Sequence, residues 1–442
     1  MKRFLSIIVS VAMVLSLLTV CTGCSGKKGG SGNVNDALKG KTIRIASWGN
    51  VKPAAGTEIG DLKLEQIAAA EEKFGCTVEY VTITDLTQQL LTAATTGQIV
   101  ADVIMQRAHR VQDLLLQGEY FWSMEDLGFD PKNEMYNTDT RNYTQKDGKT
   151  YGFWYDPTEQ AQFMVLNKTL LDMVGLKVPY ELVKEKKWNW DAWHDIMQKT
   201  TDTKSGIYGF TASGTFPMTM MYSNNTTLYA NNNGTYSSNT SDTKLVETFE
   251  FTSKCINSSK VMKYNIGSAA TASLEDFVGG KCASAIVGTY QIRDTISKEM
   301  TGNYGIMPIP MGPSATDYIN GNSECKTFCI QKAVEKDTAM ALVQFMNEAF
   351  IYPLDMRDGI ESYYKSICGD KESLEVMMYL HDNVPLTVYG EYTSPDLRSE
   401  GGEILSDLAQ MAVGNKSAKS TLDSYNNTVQ SLLDEYYGKA KK

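Results

Sequence analysis

Histidine is nearly missing from this chain. Only His109, His194 and His381 occur in 442 residues, far apart and with no H-E-x-x-H or i,i+4 pairing. That leaves no helix able to present two imidazoles to one metal ion. Beyond residue 24 there are six cysteines, Cys76, Cys255, Cys282, Cys325, Cys329 and Cys368, and no two of them form C-x-x-C. A zinc ribbon and a thioredoxin-type site are therefore not encoded. No G-x-S-x-G, P-loop or G-x-G-x-x-G motif occurs, and no cofactor is expected. No apolar run after residue 24 approaches the ~20 residues a spanning helix needs. Positive charge is also short: the formal net charge is -10, which disfavours nucleic acid and anionic lipid as general partners.

What is present begins at the N-terminus. Lys2 and Arg3 precede an apolar stretch, Phe4 to Val20, broken only by Ser6, Ser10, Ser16 and Thr19. That is the pattern of a secretory signal, a little long in its apolar part. Val20-Cys21-Thr22-Gly23-Cys24-Ser25 follows and resembles a bacterial lipobox, in which small residues precede a cysteine that is acylated. Cys24, preceded by Thr22 and Gly23, fits that role better than Cys21, which follows Val20. An uncleaved anchor helix is the alternative and would leave the protein on the same side of the membrane. Residues 1–23 are thus expected to be a signal peptide. The Gly/Ser/Lys-rich residues 24–40 read as a flexible tether.

The length suits two lobes rather than one core. Strand and helix alternate over residues 41–118. Strands are expected at Lys41–Ser47, Thr77–Ile83 and Ile99–Met105. Leu64, Ile67, Ala70 and Phe74 fall at helical spacing, and a second helix runs from Asp85 to Thr96 with Gly97 as its C-cap. Such a rhythm predicts a parallel sheet covered by helices, with ligand beyond the carboxyl ends of its strands. Trp48 and residues 106–110 lie at those ends. Asn232-Asn233-Gly234 between Tyr229 and Tyr236 reads as a hairpin turn. Residues 336–350 form an amphipathic helix with Ala339, Leu342, Val343, Met346 and Phe350 inward. Trp188, Trp190 and Trp193 read as packing. Cys325 and Cys329 flank a strand and sit about 13 Å apart along it, too far to bridge, so buried free thiols are expected there.

The order of several segments resembles the extracellular solute-binding lipoproteins, family 1, of ABC sugar importers. Leu90-Leu-Thr-Ala-Ala-Thr-Thr-Gly-Gln-Ile-Val-Ala-Asp-Val103 is similar to the family's helix, glycine and Pro-Asp-Val strand, with Ala101 for the proline. Tyr151-Gly-Phe-Trp-Tyr155 is similar to its Tyr-Gly-Leu-Pro crossover. Met164-Val-Leu-Asn-Lys168 and Trp190-Asp-Ala-Trp193 resemble a strand end and a helix start. Phe277-Val-Gly-Gly-Lys-Cys-Ala283 with Ile286-Val-Gly-Thr-Tyr290 resembles the Phe-x-x-Gly-Lys-Ala-Ala block and its Gly-x-Trp. Tyr304-Gly-Ile-Met-Pro-Ile-Pro310 resembles the second crossover. The resemblance spans nearly all of the mature chain. It implies an α/β, two-lobed periplasmic-binding-protein-like fold (type II), each lobe a mostly parallel sheet flanked by helices, with the ligand cleft between them. Lobe 1 would hold residues 41–155 and 309–352, lobe 2 residues 156–308 and 353–442.

The implied function is non-enzymatic. The protein would bind a mono- or oligosaccharide in the cleft and deliver it to the transmembrane subunits of an ABC permease, as a monomer held at the outer membrane face by its lipid. Another polar solute, such as a peptide or an organic phosphate, remains open, and so does a carbohydrate-active lipoprotein enzyme. Asp156 and Glu159 are close in sequence and would be the carboxylate pair of such an enzyme. Sugars offer apolar C–H faces to flat side chains. The candidate ligand residues are accordingly Trp48, Arg107, Trp154, Tyr155, Tyr290, Tyr389 and Tyr392. His109, just past the third expected strand, is a weaker cleft-edge candidate. For each aromatic the competing assignment is ordinary core packing. The anchor is directly testable. Cys24→Ser is expected to lose lipid labelling and leave the membrane fraction or stay unprocessed, whereas Cys21→Ser is not. Normal lipid labelling of Cys24→Ser would move the site to Cys21.

Overall fold

The computed structural model describes residues 34–53, 55–56, 58–155, 162–212, 216–232, 235–264, 271–300, 302–322, 325–350, 356–384, 386–388 and 402–438. The first sheet is built on β1 (Thr42–Ser47), β2 (Thr77–Thr82) and β3 (Val103–Arg107), all parallel, with the late strand β9 (Lys326–Cys329) at its edge, in the order β9-β3-β1-β2. Alternation decides which face each residue covers. Ile43, Ile45, Val103 and Met105 face a core shared with Ile67, Ala70 and Phe74 of α1 (Glu58–Phe74). Ala46 and Ile104 face the other way, onto Leu86 and Leu90 of α2 (Leu86–Thr96) and Val111 and Leu114 of α3 (Ala108–Gln117). Gly97 caps α2 in the left-handed conformation (φ 68°), its N–H bonding the Ala93 carbonyl as the sequence suggests.

The third strand begins four residues later than expected and ends on Arg107. Residues 99–102 serve as its approach. The amide N–H of Val100 donates to Gln331 Oε1 at 2.7 Å, and Asp102 Oδ2 accepts from the Arg44 N–H at 2.8 Å. Side chains thus satisfy a backbone that a ladder would otherwise take up.

The second sheet contains β4 (Gln162–Asn167), β5 (Tyr208–Ala212), β6 (Met262–Tyr264), β7 (Cys282–Gly288) and β8 (Tyr304–Met307), in the order β6-β5-β7-β4-β8. β5, β6 and β7 are parallel, while β4 runs antiparallel to both β7 and β8. Trp188, Trp190 and Trp193 pack in this lobe. Each indole N–H finds an acceptor, the Pro308 carbonyl at 2.9 Å, Ser223 Oγ at 3.2 Å and Ser284 Oγ at 3.1 Å respectively. The hairpin pairs Tyr229–Asn232 with Thr235–Ser238 and sits on a third apolar cluster formed by four helices. These are Phe216–Ser223, Thr243–Ser253, Gly402–Ala412 and Ala418–Gly438. All six described cysteines are free, five of them buried, Cys325 and Cys329 among them. Burial pushes the Cys255 and Cys282 thiols up to about 12.

Three connections join the lobes. Tyr155 lies in the first core and Gln162 starts β4. Phe350 ends α4 (Lys336–Phe350) against the first core, and Tyr364 of α5 (Met356–Ile367) lies in the second. The return to lobe 1, expected near 309, comes later. Met311 and Tyr318 belong to the second core, and the Met311 carbonyl accepts the Trp190 N–H at 2.9 Å. The chain rejoins the first sheet only at β9 (Lys326–Cys329), antiparallel to β3.

One polar network fastens a late helix, α6 (Lys371–Asn383), to this second lobe. Asp370 caps it through the Ser373 N–H, pairs with Lys168 at 2.7 Å and accepts from the Tyr180 hydroxyl at 2.7 Å. Burial opposes its ionisation, but the hydrogen bonds from Lys168, Ser373 and Tyr180 outweigh burial and hold its carboxyl below the usual range. A carboxylate depressed in this way contributes fully above its unfolded pKa, near 4, and the contribution disappears as pH falls through the lower folded value. Asp370→Asn is expected to cost about 1–3 kcal/mol in urea unfolding at pH 7, with the gap to the parent closing toward pH 2.5. An equal loss at both pH values would show that charge is not the source.

Candidate functional site

The carboxyl ends of the parallel strands define where polar and aromatic groups gather. Trp48 follows β1 directly and Arg107 closes β3, and the Arg107 guanidinium carbon lies 4.5 Å from the Trp48 ring centroid. This is a cation–π contact of ordinary length. In the antiparallel pairing of β9 with β3, Lys326 stands opposite Arg107 and Phe328 opposite Met105. Directly opposed residues point to the same face of a sheet. Lys326, Arg107, Met105 and Phe328 therefore share the face that carries α1 and α4. Trp154 joins the same group, its ring 4.7 Å from that of Phe328 and half-buried.

Tyr155 does not join it. Its ring is only 6% exposed, packed with Tyr136, Phe153 and Phe328, and its hydroxyl donates to Asn347 Oδ1 at 2.7 Å. Burial drives that hydroxyl's pKa well up. The expectation that Tyr155 contacts ligand is corrected: the ring has no open surface to offer and serves the first core.

In the second lobe the matching position is Tyr290. It follows β7 in the short turn Thr289–Gln291 and is 48% exposed. Its ring lies over Gly288, where a Cβ would come within 2.9 Å of Cε1, so glycine at that point lets the ring settle against the strand end. Gln291 Oε1 accepts the Gly288 N–H at 2.9 Å. Gln162, which starts β4, stands across from Gly288. Tyr155 and Gln162 are seven residues apart, so the connection spans at most roughly 25 Å. The carboxyl end of β7 therefore lies within about that reach of the strand-end side of lobe 1.

Two buried polar atoms at these ends, Ser47 Oγ and Gln291 Nε2, lack a partner among the described residues. An unmet buried donor or acceptor costs about 1–3 kcal/mol. Ser47, Lys326 and Gln291 are the residues that sequence reasoning missed. Strand-end position could have flagged Ser47 and Gln291, but only the β9–β3 register reveals Lys326.

His109 lies in the first turn of α3. His194 contacts Ser259 Oγ at 3.2 Å, and burial lowers its pKa. No group of three or more metal-ligating side chains occurs among the described residues, and no described helix is long and apolar enough to cross a membrane. Cys21, Cys24, Asp156, Glu159, Tyr389 and Tyr392 lie outside the described residues. The two environments predict opposite mutant behaviour. Tyr155→Ala is expected to cost about 3–5 kcal/mol of stability, the range for truncating a core aromatic. Tyr290→Ala should leave the melting temperature of the unliganded protein nearly unchanged. A large drop for Tyr290→Ala in thermal denaturation would make it a packing residue.

The family model described as bacterial extracellular solute-binding protein matches residues 55–349. No curated protein matches the sequence. Among solved structures, the GacH receptor of Streptomyces glaucescens GLA.O, known unliganded and with acarbose, is 17% identical with a TM-score of 0.64. That match covers 90% of this chain and 100% of that one. UgpB from Mycobacterium tuberculosis, in complex with glycerophosphocholine, is 16% identical with a TM-score of 0.65, covering 89% of this chain and 98% of the other. The ABC transporter associated binding protein from B. animalis subsp. lactis Bl-04, in complex with beta-1,6-galactobiose, is 17% identical with a TM-score of 0.62, covering 91% and 98%. At these identities the likeness is one of fold, a two-lobed α/β architecture. With well over half of its length inside the family model, the chain belongs to the bacterial extracellular solute-binding proteins.

Proposed function

We propose that this protein is the carbohydrate receptor of an ABC importer, lipid-anchored through Cys24 and loading the transmembrane subunits of a permease as a monomer. The observation that carries the reading is the placement of Trp48 and Tyr290 at the carboxyl ends of a central strand in each lobe. Two flat side chains, one per lobe, suit a pyranose ring, whose apolar faces stack while its hydroxyls take hydrogen bonds. Arg107 supplies donors beside Trp48, and Trp154 extends the aromatic floor. Solved relatives of the same fold that hold acarbose or galactobiose support a saccharide as the solute. Tyr389 and Tyr392 remain candidates for closing the site from the second lobe.

Binding without chemistry is the expected behaviour. In a thermal-shift screen of mono- and oligosaccharides, a true ligand at about 100 times its Kd should stabilise by about 2.7 kcal/mol, and it should be recovered unchanged after long incubation. Conversion of the saccharide would make the protein an enzyme. Absence of any shift across the panel would count against a carbohydrate. By calorimetry, Trp48→Ala and Tyr290→Ala should each lose about 2–3 kcal/mol of binding, combining lost area with lost ring stacking. That is roughly thirty- to two-hundredfold in Kd. Tyr290→Phe should keep most of the affinity.

A further inference from the structure

We infer that Ser47 and Gln291 read the hydroxyl pattern of the solute, one from each lobe, and so determine which saccharide the protein accepts. This deepens the carbohydrate reading and rests on it. The starting point is that both side chains are buried, Ser47 completely and Gln291 to 7% exposure, yet Ser47 Oγ and Gln291 Nε2 have no hydrogen-bond partner among the described residues. Buried polar groups of folded chains are nearly always paired. Buried serines elsewhere in this chain follow that rule. Ser223 Oγ donates to the Met220 carbonyl at 2.9 Å, Ser284 Oγ donates to the Gly209 carbonyl at 2.7 Å, and Ser373 Oγ accepts the Ile306 N–H at 2.9 Å. Ser47 and Gln291 depart from it at the carboxyl ends of β1 and β7. Each is next in sequence to an aromatic residue that is only partly packed, Trp48 and Tyr290.

The geometry fixes what each offers. Gln291 Oε1 accepts the Gly288 N–H at 2.9 Å. Turning the amide over would set its NH2 against that N–H, donor against donor, so the NH2 is the unmet end. The amide oxygen and the edge of the Tyr290 ring both lie within 4 Å of the point where a Gly288 Cβ would stand. A sugar unit stacked on Tyr290 thus has an unmet donor beside it. In lobe 1, Ser47 is two residues past Ile45 and points to the same face of the sheet. Trp48 packs against the core on that face, with its ring 4.5 Å from the Arg107 guanidinium carbon. Neither unmet atom is open to bulk water in the unliganded fold, and a solute hydroxyl reaches each by displacing the partly packed ring next to it. One hydroxyl then accepts from Gln291 Nε2, and a second bonds Ser47 Oγ. The cost of leaving these atoms unpaired is already present without ligand, so a matching hydroxyl gains its bond without the protein first giving up a bond to water. A saccharide that lacks the hydroxyl, or carries it on the other face of the ring, forfeits that gain.

The test is calorimetry and thermal melting on the mature protein with glucose, galactose, mannose and their disaccharides, followed by the monodeoxy derivatives of the tightest binder. At least two of those derivatives are expected to bind tenfold or more weakly than the parent saccharide. Ser47→Ala and Gln291→Glu should each weaken the parent saccharide by a similar factor, and each should bind one of the penalised derivatives as well as it binds the parent saccharide. Gln291→Glu keeps an oxygen for the Gly288 N–H and removes only the donor. Ser47→Ala deletes an unmet hydroxyl, so the unliganded protein should melt at the same temperature or higher, whereas loss of a structural serine would lower it. The inference is overturned if either variant binds the parent saccharide as the unsubstituted protein does, which would make a sealed water the partner of that atom. It is equally overturned if the variants weaken the parent saccharide and every deoxy derivative by one common factor. Should Gln291→Glu fail to fold, the deoxy panel on the unsubstituted protein and on Ser47→Ala decides, and absence of any penalised derivative overturns the inference. Failure of every saccharide to bind would instead sink the carbohydrate reading, and this inference with it.

Discussion

Phe153 and Phe328 exchange two backbone hydrogen bonds, 3.0 and 2.8 Å, and the arrangement of the lobes depends on that exchange. Phe153 sits just before the first connection leaves lobe 1, and Phe328 sits on the strand by which the chain returns. Around them the rings of Trp154, Tyr155 and Phe350 close to within 4.7–6.4 Å of Phe328, and Phe350 is the last residue before the third connection. The Tyr155 and Tyr136 hydroxyls both donate to Asn347 Oδ1, which ties the departing chain to α4 as well. One aromatic cluster thus anchors all three connections on the lobe 1 side. Any rotation of lobe 2 has to be taken up beyond it, because a close-packed cluster deforms far less readily than an exposed connection.

The site follows from that anchoring. The connection leaves lobe 1 beside the strand pairing of Phe153 with Phe328 and enters lobe 2 at Gln162, across from Gly288 at the carboxyl end of β7. Parallel strands leave polar backbone and short loops at that edge. The sequence fills it with rings and cations in lobe 1 and with Tyr290 and Gln291 in lobe 2. Trp48, Trp154 and Tyr290 are only partly packed, and Ser47 Oγ and Gln291 Nε2 beside them lack a partner among the described residues. A solute that met those atoms would favour the bound state over the open one, and only such a difference in affinity could shift a lobe equilibrium.

Much of this was legible in the residues. Periodicity located the α2 helix and its Gly97 cap, the 336–350 helix, the hairpin around residue 233 and the packing tryptophans, because each is decided by local spacing. The errors are non-local. Gln331 takes the Val100 N–H of the segment expected to start β3, and the Asp102 side chain takes the Arg44 N–H of β1, partners visible only once the chain is folded. The crossover placed at 309 fails for a similar reason: Pro308 and Met311 bond to Trp188 and Trp190, far away in sequence. Trp154 and Tyr155 are neighbours with the same composition cues. Chain direction alone sends one ring to the half-open edge and the other into the core. Lys326 reads as a strand residue between two cysteines, and only the pairing of β9 with β3 brings it opposite Arg107 at the strand end.

The central claim is that a solute held between the two carboxyl edges draws the lobes together about the anchored connections. Spin labels on Ala94→Cys in lobe 1 and Lys204→Cys in lobe 2, both exposed sites, would report it. The Cys255, Cys282, Cys329 and Cys368 thiols should react slowly, since burial keeps them in the protonated form. Dipolar distance measurement is expected to show one longer distribution without ligand and a shorter one at saturating saccharide. Saturable binding with an unchanged inter-lobe distance would contradict the account.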